Sequence, residues 1–233
     1  MFPLFWWGLN SIKPASAIFE NFSVNWFDFT PTLDNYRVTL AGEGPAFFAS
    51  RQAILDTLLV AMGATLLTLI TALPAAFALS LIHFTRKRFV FLWVLFHRIL
   101  PPIAILVPLV FTYSQVGLRD TRIGVILAHA AVNLPFAILL LKSFFDDVPR
   151  EVGEAATIDG ATRFACFTRI YAPLVKGGIA ASAVLVFIFS WTEFLLSLFL
   201  TTEIRTVPVK IQTFVPSTGT EWGFIAALTK SRA

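Results

Sequence analysis

The chain has 233 residues, of which 57% are hydrophobic and only 14% charged, with a formal net charge of +4. Soluble domains carry about 25% charged residues, so the composition excludes an ordinary soluble domain and points to one embedded in lipid. Nucleic acid is not implied as a partner: the Lys and Arg residues are scattered over short loops, as in polytopic membrane proteins, whose cytoplasmic loops collect them.

A membrane-spanning helix needs about 20 mostly apolar residues. The first apolar stretch, 2–12, is aromatic but too short to cross, and reads as a partial span or an interfacial segment. The start Met1-Phe2-Pro3-Leu4 lacks the basic region and small-residue cleavage site of a standard signal peptide. Residues 13–51 are polar, aromatic and rich in turn formers, and are expected over the outer membrane surface. A span follows at 53–82, with Asp56 near its start. The next is 90–113, which contains His97 and Arg98. A third, 124–141, has no Asp, Glu, Lys or Arg; at about 1.5 Å per residue it covers about 27 Å. The fourth, 179–200, carries only Glu193. None alternates strictly and all are longer than strands, so helix is the assignment. At the far end, the apolar run Trp222–Leu228 stops in the polar residues Thr229–Ala233, too short to cross. The 25 Phe residues suit lipid-facing and helix-packing surfaces.

Orientation follows from Arg86-Lys87-Arg88, the tightest basic cluster, in a very short loop between two spans. The positive-inside rule places that loop in the cytoplasm. Residues 114–122 and 201–221 are then external and 142–178 cytoplasmic. The cytoplasmic segment carries Lys142, Arg150, Arg163, Arg169 and Lys176, in agreement, although Arg119, Arg122, Arg205 and Lys210 lie outside. Cys166, the single cysteine, excludes an internal disulfide and is expected as a buried, reduced thiol.

The segment 142–178 reads as two short helices with a sharp bend. Pro149 suits a first helical turn, with Asp146 and Asp147 upstream as caps. Glu151, Glu154, Ala155 and Ala156 favour helix to Ile158, and Gly160 ends it by reaching positive φ. A second helix is expected from Ala161 to Tyr171, closed by Pro173. Val152, Ala156, Phe164 and Phe167 would form apolar faces, leaving Glu151, Glu154, Arg163 and Arg169 polar. An ordinary solvated loop between spans is the plain alternative.

Glu154-Ala155-Ala156, then Gly160, Ile170 and Pro173, resembles the E-A-A signature of the membrane subunits of binding-protein-dependent ABC importers. The departure is Ala172, where leucine is usual; the bend and the closing proline remain. Arg98-Ile99-Leu100-Pro101-Pro102, Gly117-Leu118-Arg119-Asp120-Thr121, Asn133-Leu134-Pro135-Phe136 and Trp191-Thr192-Glu193-Phe194 look like the carbohydrate branch, in the order and spacing of its second permease subunit, of maltose, trehalose or glycerol-phosphate type. The likeness runs from about Pro3 to Ala227.

The resemblance implies an all-α, polytopic helical membrane protein with a type I ABC importer transmembrane domain, multi-pass in the inner (plasma) membrane, as a single permease domain over 1–233. It implies a sugar substrate and, as partners, a second homologous permease, two ATP-binding subunits and an extracytoplasmic sugar-binding protein. Glu154, Ala155, Ala156, Asp159, Gly160, Ile170 and Pro173 would then couple the spans to the ATPase, with Glu154 as polar anchor and Gly160 as bend. The chain has no G-x-x-x-x-G-K-[ST] loop. No catalytic residue, cofactor or metal is expected; ATP hydrolysis would belong to the partner subunits.

Charged groups inside spans are functional candidates by default. Glu193, about 22 Å from the cytoplasmic start of its helix, is with Trp191 a candidate to line the sugar pathway; the alternative is that it simply reaches the interface or pairs with the partner permease. Arg98, beside His97 and just before Pro101-Pro102, is expected in a structural role, satisfying carbonyls that the prolines leave free or pairing within the subunit interface, in preference to substrate contact; His129 and Asn133 are open in the same way, with Asn133, beside Pro135, expected to satisfy freed backbone groups. Pro74, Pro108 and Pro135 are expected to kink their helices. A permease for a non-sugar solute, such as a polyamine or phosphate, shares the E-A-A signature and stays open. An integral-membrane enzyme is disfavoured, since the spans lack His/Asp/Glu clusters for a metal. Family members normally carry more than the four full spans read here, so the chain is expected to be truncated at both ends and not to support transport alone.

Overall fold

The computed structural model describes residues 2–14, 17, 26, 29–41 and 45–212, with the backbone alone at 45–49. The apolar run Trp222–Leu228 and the polar tail after it lie outside the described residues. The described residues contain helices and no strand. They fall into two compact units, Met1–Thr57 with Glu203–Ala233, and Leu58–Thr202.

In the first unit, α1 (Phe2–Ser11) carries an aromatic face on which Trp6 meets Trp26 edge-on at 5.3 Å. Asn35 Nδ2 donates to the Ser11 and Lys13 carbonyls at 3.1 and 2.8 Å, satisfying acceptors that a helix end leaves free. Asp56, near the start of the first full span, is buried and accepts from Gln52 Nε2 at 3.1 Å. The short helix Val207–Gln212 begins with Val207 N donating to Thr57 Oγ1 at 2.7 Å.

The long helix α2 (Pro45–Leu81) continues into the second unit. There its inward face is made of small residues four apart, Ala64, Thr68, Ala72 and Ala76, each 0% exposed. Met62, Leu66 and Ile70 are exposed on its outward side. Small residues inward and large ones outward is the arrangement expected in lipid, where close backbone approach drives helix association and no hydrophobic effect does.

The remaining elements of this unit are α3 (Lys87–Ile99), α4 (Pro102–Gln115), α5 (Arg122–Asp146), α6 (Arg150–Ile158), α7 (Arg163–Leu174), α8 (Lys176–Thr192) and α9 (Leu195–Leu200). Among the described residues, α2 from Ser50 and α5 are the two unbroken helices long and apolar enough to cross a membrane, and they include the stretches 53–81 and 124–141. The expected span 90–113 is instead two helices meeting at 93°. Leu100 and Pro101 are both extended, with ψ of 123° and 129°. A residue before proline is pushed out of the helical region, and with two prolines in succession two residues leave it together. Pro102 then opens α4, where its missing N–H costs least. The expected span 179–200 is broken too, at Glu193, whose ψ is 124°. Pro74, Pro108 and Pro135 each lie inside one continuous helix; the sharp bend sits at Pro101-Pro102.

At the end of α5 that meets α6, Phe77 packs on Phe145, Phe167 and Tyr171 with ring centroids 5.8, 5.1 and 5.5 Å away. Beside it Ser80 Oγ and Lys142 Nζ both donate to the Asp146 carboxylate, each at 2.5 Å, and Lys87 Nζ donates to the Ser80 carbonyl at 2.7 Å. Asp146 therefore serves the seam between α2 and α5 and does not cap α6. Pro149 takes the cap position there, with no side-chain bond.

Helix α8 lies against α5 through Gly178, where an added Cβ would stand 2.3 Å from the Phe144 ring. At the neighbouring Gly177 a Cβ would meet nothing within 4 Å. Gly178→Ala should therefore destabilise the protein by about 1–3 kcal/mol through overpacking, whereas Gly177→Ala should be neutral or gain about 0.5–1 kcal/mol of helix propensity. Thermal melting of the two variants in detergent checks this: equal melting temperatures would disprove the close packing.

Candidate functional site

The bend between α6 and α7 is built by local backbone chemistry. Gly160 has φ +81°, in the left-handed region. Ala161 N donates to the Ala156 carbonyl at 2.9 Å and Gly160 N to the Thr157 carbonyl at 3.0 Å. This pair of bonds is the Schellman motif, which closes a helix around a left-handed residue. Thr162 then starts α7, its Oγ1 accepting from Ala165 N at 3.2 Å. Helix α7 therefore begins at Arg163, two residues after the expected start. It also runs past Tyr171 through Pro173 to Leu174, because widened π turns over Cys166–Tyr171 are followed by a short turn, Ala172–Leu174, that holds the proline at its beginning.

Glu154, Ala155, Asp159 and Gly160 are exposed together on α6 and its bend. Ala156 is buried on the opposite side, Ile170 is half-buried, and Pro173 is exposed beyond the bend. Phe167 packs inward on Phe77, whereas Phe164, expected on an apolar face, is 75% exposed, and Ile158 is 87% exposed. The bend thus presents two bare apolar side chains beside Glu154 and Asp159. Cys166 is buried, as expected of a structural thiol.

Behind the bend is a cavity of about 650 Å³ whose lining includes Phe77, Arg150, Gly153, Glu154, Arg163 and Tyr171. Two of these are missed by the sequence reading. A Cβ on Gly153 would lie 2.2 Å from Tyr171 Oη, so this glycine sets how closely α6 approaches α7. An isolated glycine inside an otherwise good helix former is the signal that could have found it.

A second polar cluster lies where α5 faces the break between α8 and α9. His129 is 1% exposed. Its Nδ1 is 2.8 Å from Ser190 Oγ, and its Nε2 is 3.1 Å from Glu193 Oε2 and 3.2 Å from Ser197 Oγ. Glu193 Oε1 accepts from Leu196 N at 2.8 Å, and Oε2 accepts from Ser197 N at 3.2 Å. The carboxylate thus satisfies the N–H groups that the break exposes. Ser190, Glu193 and Ser197, three and four residues apart, mark this polar stripe in the sequence; His129, its partner on another helix, carries no such signal. Trp191 packs on Phe187 at 5.6 Å and does not line the cavity beside Glu193.

Asn133 and His97 bond within their own helices, and not to the carbonyls expected, those that the prolines free. Asn133 Nδ2 donates to the His129 carbonyl at 2.9 Å; the carbonyl that Pro135 deprives of a donor is that of Ala131, four residues before it. His97 Nδ1 lies 3.0 Å from the carbonyl of Trp93, on its own helix. Arg98 satisfies no carbonyl and stands over the Phe136 ring at 5.4 Å.

Known proteins agree with this architecture. The chain resembles a solved chain of a bacterial ABC transporter involved in import of the acidic polysaccharide alginate, with a TM-score of 0.80 and 20% identity over 98% of this chain and 84% of that one. That likeness concerns the fold. The trehalose transport system permease protein SugB of Mycobacterium tuberculosis is 33% identical over 231 residues, covering 97% of this chain and 81% of the relative. The sulfoquinovosyl glycerol transport system permease protein SmoH of Agrobacterium fabrum is 29% identical over 229 residues, covering 97% and 78%. A probable ABC transporter permease protein, y4oR, of Sinorhizobium fredii is 36% identical over 203 residues, covering 86% and 71%. Residues 64–229, spanning both polar clusters and the bend, match the family model of the binding-protein-dependent transport system inner membrane component. The chain belongs to this family of integral inner-membrane transport proteins.

Proposed function

We propose that the chain is a membrane-spanning subunit of an ATP-driven sugar importer and that Glu154 to Pro173 is its contact with an ATPase. The observation that carries this is the rigid bend at Gly160, which exposes Glu154, Asp159, Ile158 and Phe164 while Ala156, Phe167 and Tyr171 anchor it from behind. An exposed apolar pair rimmed by carboxylates has the form of a protein interface, with anchors at the centre and a polar rim. The sugar comes from the named relatives, a trehalose and a sulfoquinovosyl glycerol transport permease. The partners in this reading are a second homologous permease, two ATP-binding subunits and an extracytoplasmic sugar-binding protein. In this reading the cavity beside Glu193 belongs to the sugar pathway, and Trp191, two residues from Phe189 and Glu193 of its lining, packs on Phe187 next to it.

Two predictions test the coupling. Glu154→Lys reverses the rim charge, and Gly160→Val forces a branched residue into the left-handed region at a cost of about 1–2 kcal/mol. Both variants should insert into the membrane normally and lose sugar uptake; wild-type uptake by either would refute the coupling role. Phe164→Glu places a charge on the exposed apolar pair without touching the packed side, and should sharply reduce co-purification with the ATP-binding subunits. Unchanged recovery of those subunits would remove Phe164 from the contact.

A further inference from the structure

Arg98 is the one intramembrane charge that the architecture above leaves without a task. It is exposed, and among the described residues no carboxylate lies within ion-pair distance of it. It is eleven residues into α3, about 16 Å along the helix from Lys87 at about 1.5 Å per residue. A guanidinium within an apolar membrane segment faces a water-filled cavity or a partner and not lipid.

The cavity is present. Arg98, His129, Val132, Asn133, Phe189, Glu193 and Leu196 line a space of about 190 Å³. Its polar groups are unequally engaged. Both oxygens of Glu193 already accept bonds, from Leu196 N, Ser197 N and the His129 ring. His129 is held between Ser190, Ser197 and Glu193. Asn133 uses one N–H on its own helix and keeps a carbonyl oxygen and a second N–H. Arg98 keeps all its donors. Phe189, 37% exposed and packed edge-on against the Phe136 ring beneath Arg98, gives a flat apolar wall.

We propose that this cavity is a station for the acidic end group of a sugar, with Arg98 taking its carboxylate or sulfonate. The planar guanidinium fork matches such groups bidentately. Asn133 takes a ring hydroxyl, and Phe189 covers an apolar ring face. Glu193 turns away from the anion, because both its oxygens are already engaged by Leu196 N, Ser197 N and the His129 ring. The volume, below the 300–1,000 Å³ of drug-sized pockets, suits one end unit of a sugar and not a whole oligosaccharide. The proposal rests on the sugar-importer reading and narrows its substrate class to acidic sugars.

The test uses the assembled transporter with its binding protein in proteoliposomes, a labelled diuronic acid disaccharide, and the same disaccharide with its carboxyl groups reduced to alcohols. Wild type should take up the acidic sugar faster than the reduced one. Arg98→Gln should shrink that preference by about tenfold or more, the scale of one charge-assisted hydrogen bond, and Arg98→Lys should retain part of it. Equal wild-type uptake of the two sugars, or an equal loss of both in Arg98→Gln, overturns the proposal and leaves the sugar importer standing. Subunits that fall apart in Arg98→Gln but hold in Arg98→Lys, with no change in sugar preference for Arg98→Lys, place Arg98 in a subunit interface and overturn it as well. Uptake of neither sugar by an ATP-hydrolysing wild type removes the sugar reading itself, and the proposal with it.

Discussion

The packing of Phe77 against Phe145, Phe167 and Tyr171 is the contact on which the second unit depends. It is the one place where the long helix α2, the long helix α5 and the bent helix α7 share a core. Aromatic pairs in such edge and tilted arrangements contribute about 0.5–1.5 kcal/mol each beyond their buried area. Asp146 adds directed bonds beside the rings, tying Ser80 of α2 to Lys142 of α5. The same cluster holds Ala156 of α6 and Cys166 and Tyr171 of α7, so under the coupling proposed above a push on Glu154 would reach the long helices and not a loop alone. Through this seat, the exposed side of the bend and the membrane helices form one packed body.

The two broken spans obey the same constraint by different means. In the bilayer each freed backbone group must find a partner, or the break costs several kcal/mol. At Pro101-Pro102 the sequence removes the donors themselves, since proline has no N–H. At Glu193 the donors remain, and a carboxylate accepts them, with the His129 ring of α5 at 3.1 Å from its Oε2. The first break is fixed by covalent geometry and turns the chain through 93°. The second is held by hydrogen bonds to a side chain on another helix, so its geometry is tied to the packing of α5. A charge that reads in sequence as a transport residue is, in the fold, also the cap of α9.

The helical class, the two unbroken spans and the bend at Gly160 were legible because each rests on a local signal: long apolar runs, and a glycine after a helix former. Ala172 in place of leucine left the bend intact, as expected. The break at Leu100-Pro101 was half legible, since the prolines were visible but hydropathy continued across them and suggested one span. What the sequence hid were pairings between distant elements. His129 with Glu193, Gly153 with Tyr171, and Asp146 with Ser80 are each decided by which helix faces which. Phe164 and Phe167 show the same limit: three residues apart on one helix, one is bare and the other is core.

These distant pairings place both ends of the mechanism on one rod. Helix α5 carries Phe145 in the aromatic seat and His129 against the break at Glu193, sixteen residues or about 24 Å apart. It is continuous between them in spite of Pro135. The extra bond from Asn133 to the His129 carbonyl lies in this stretch, just before the proline, where the regular ladder is about to lose a donor. A displacement at the seat is therefore delivered to His129, whose three partners are the side chains that hold α8 and α9 at their junction. Because packed interfaces switch between discrete arrangements and do not deform smoothly, a small shift of α5 can either preserve that set of bonds or exchange it for another. If the bend couples as proposed, the buried histidine stands where its movement would be converted into a change of cavity shape beside Arg98.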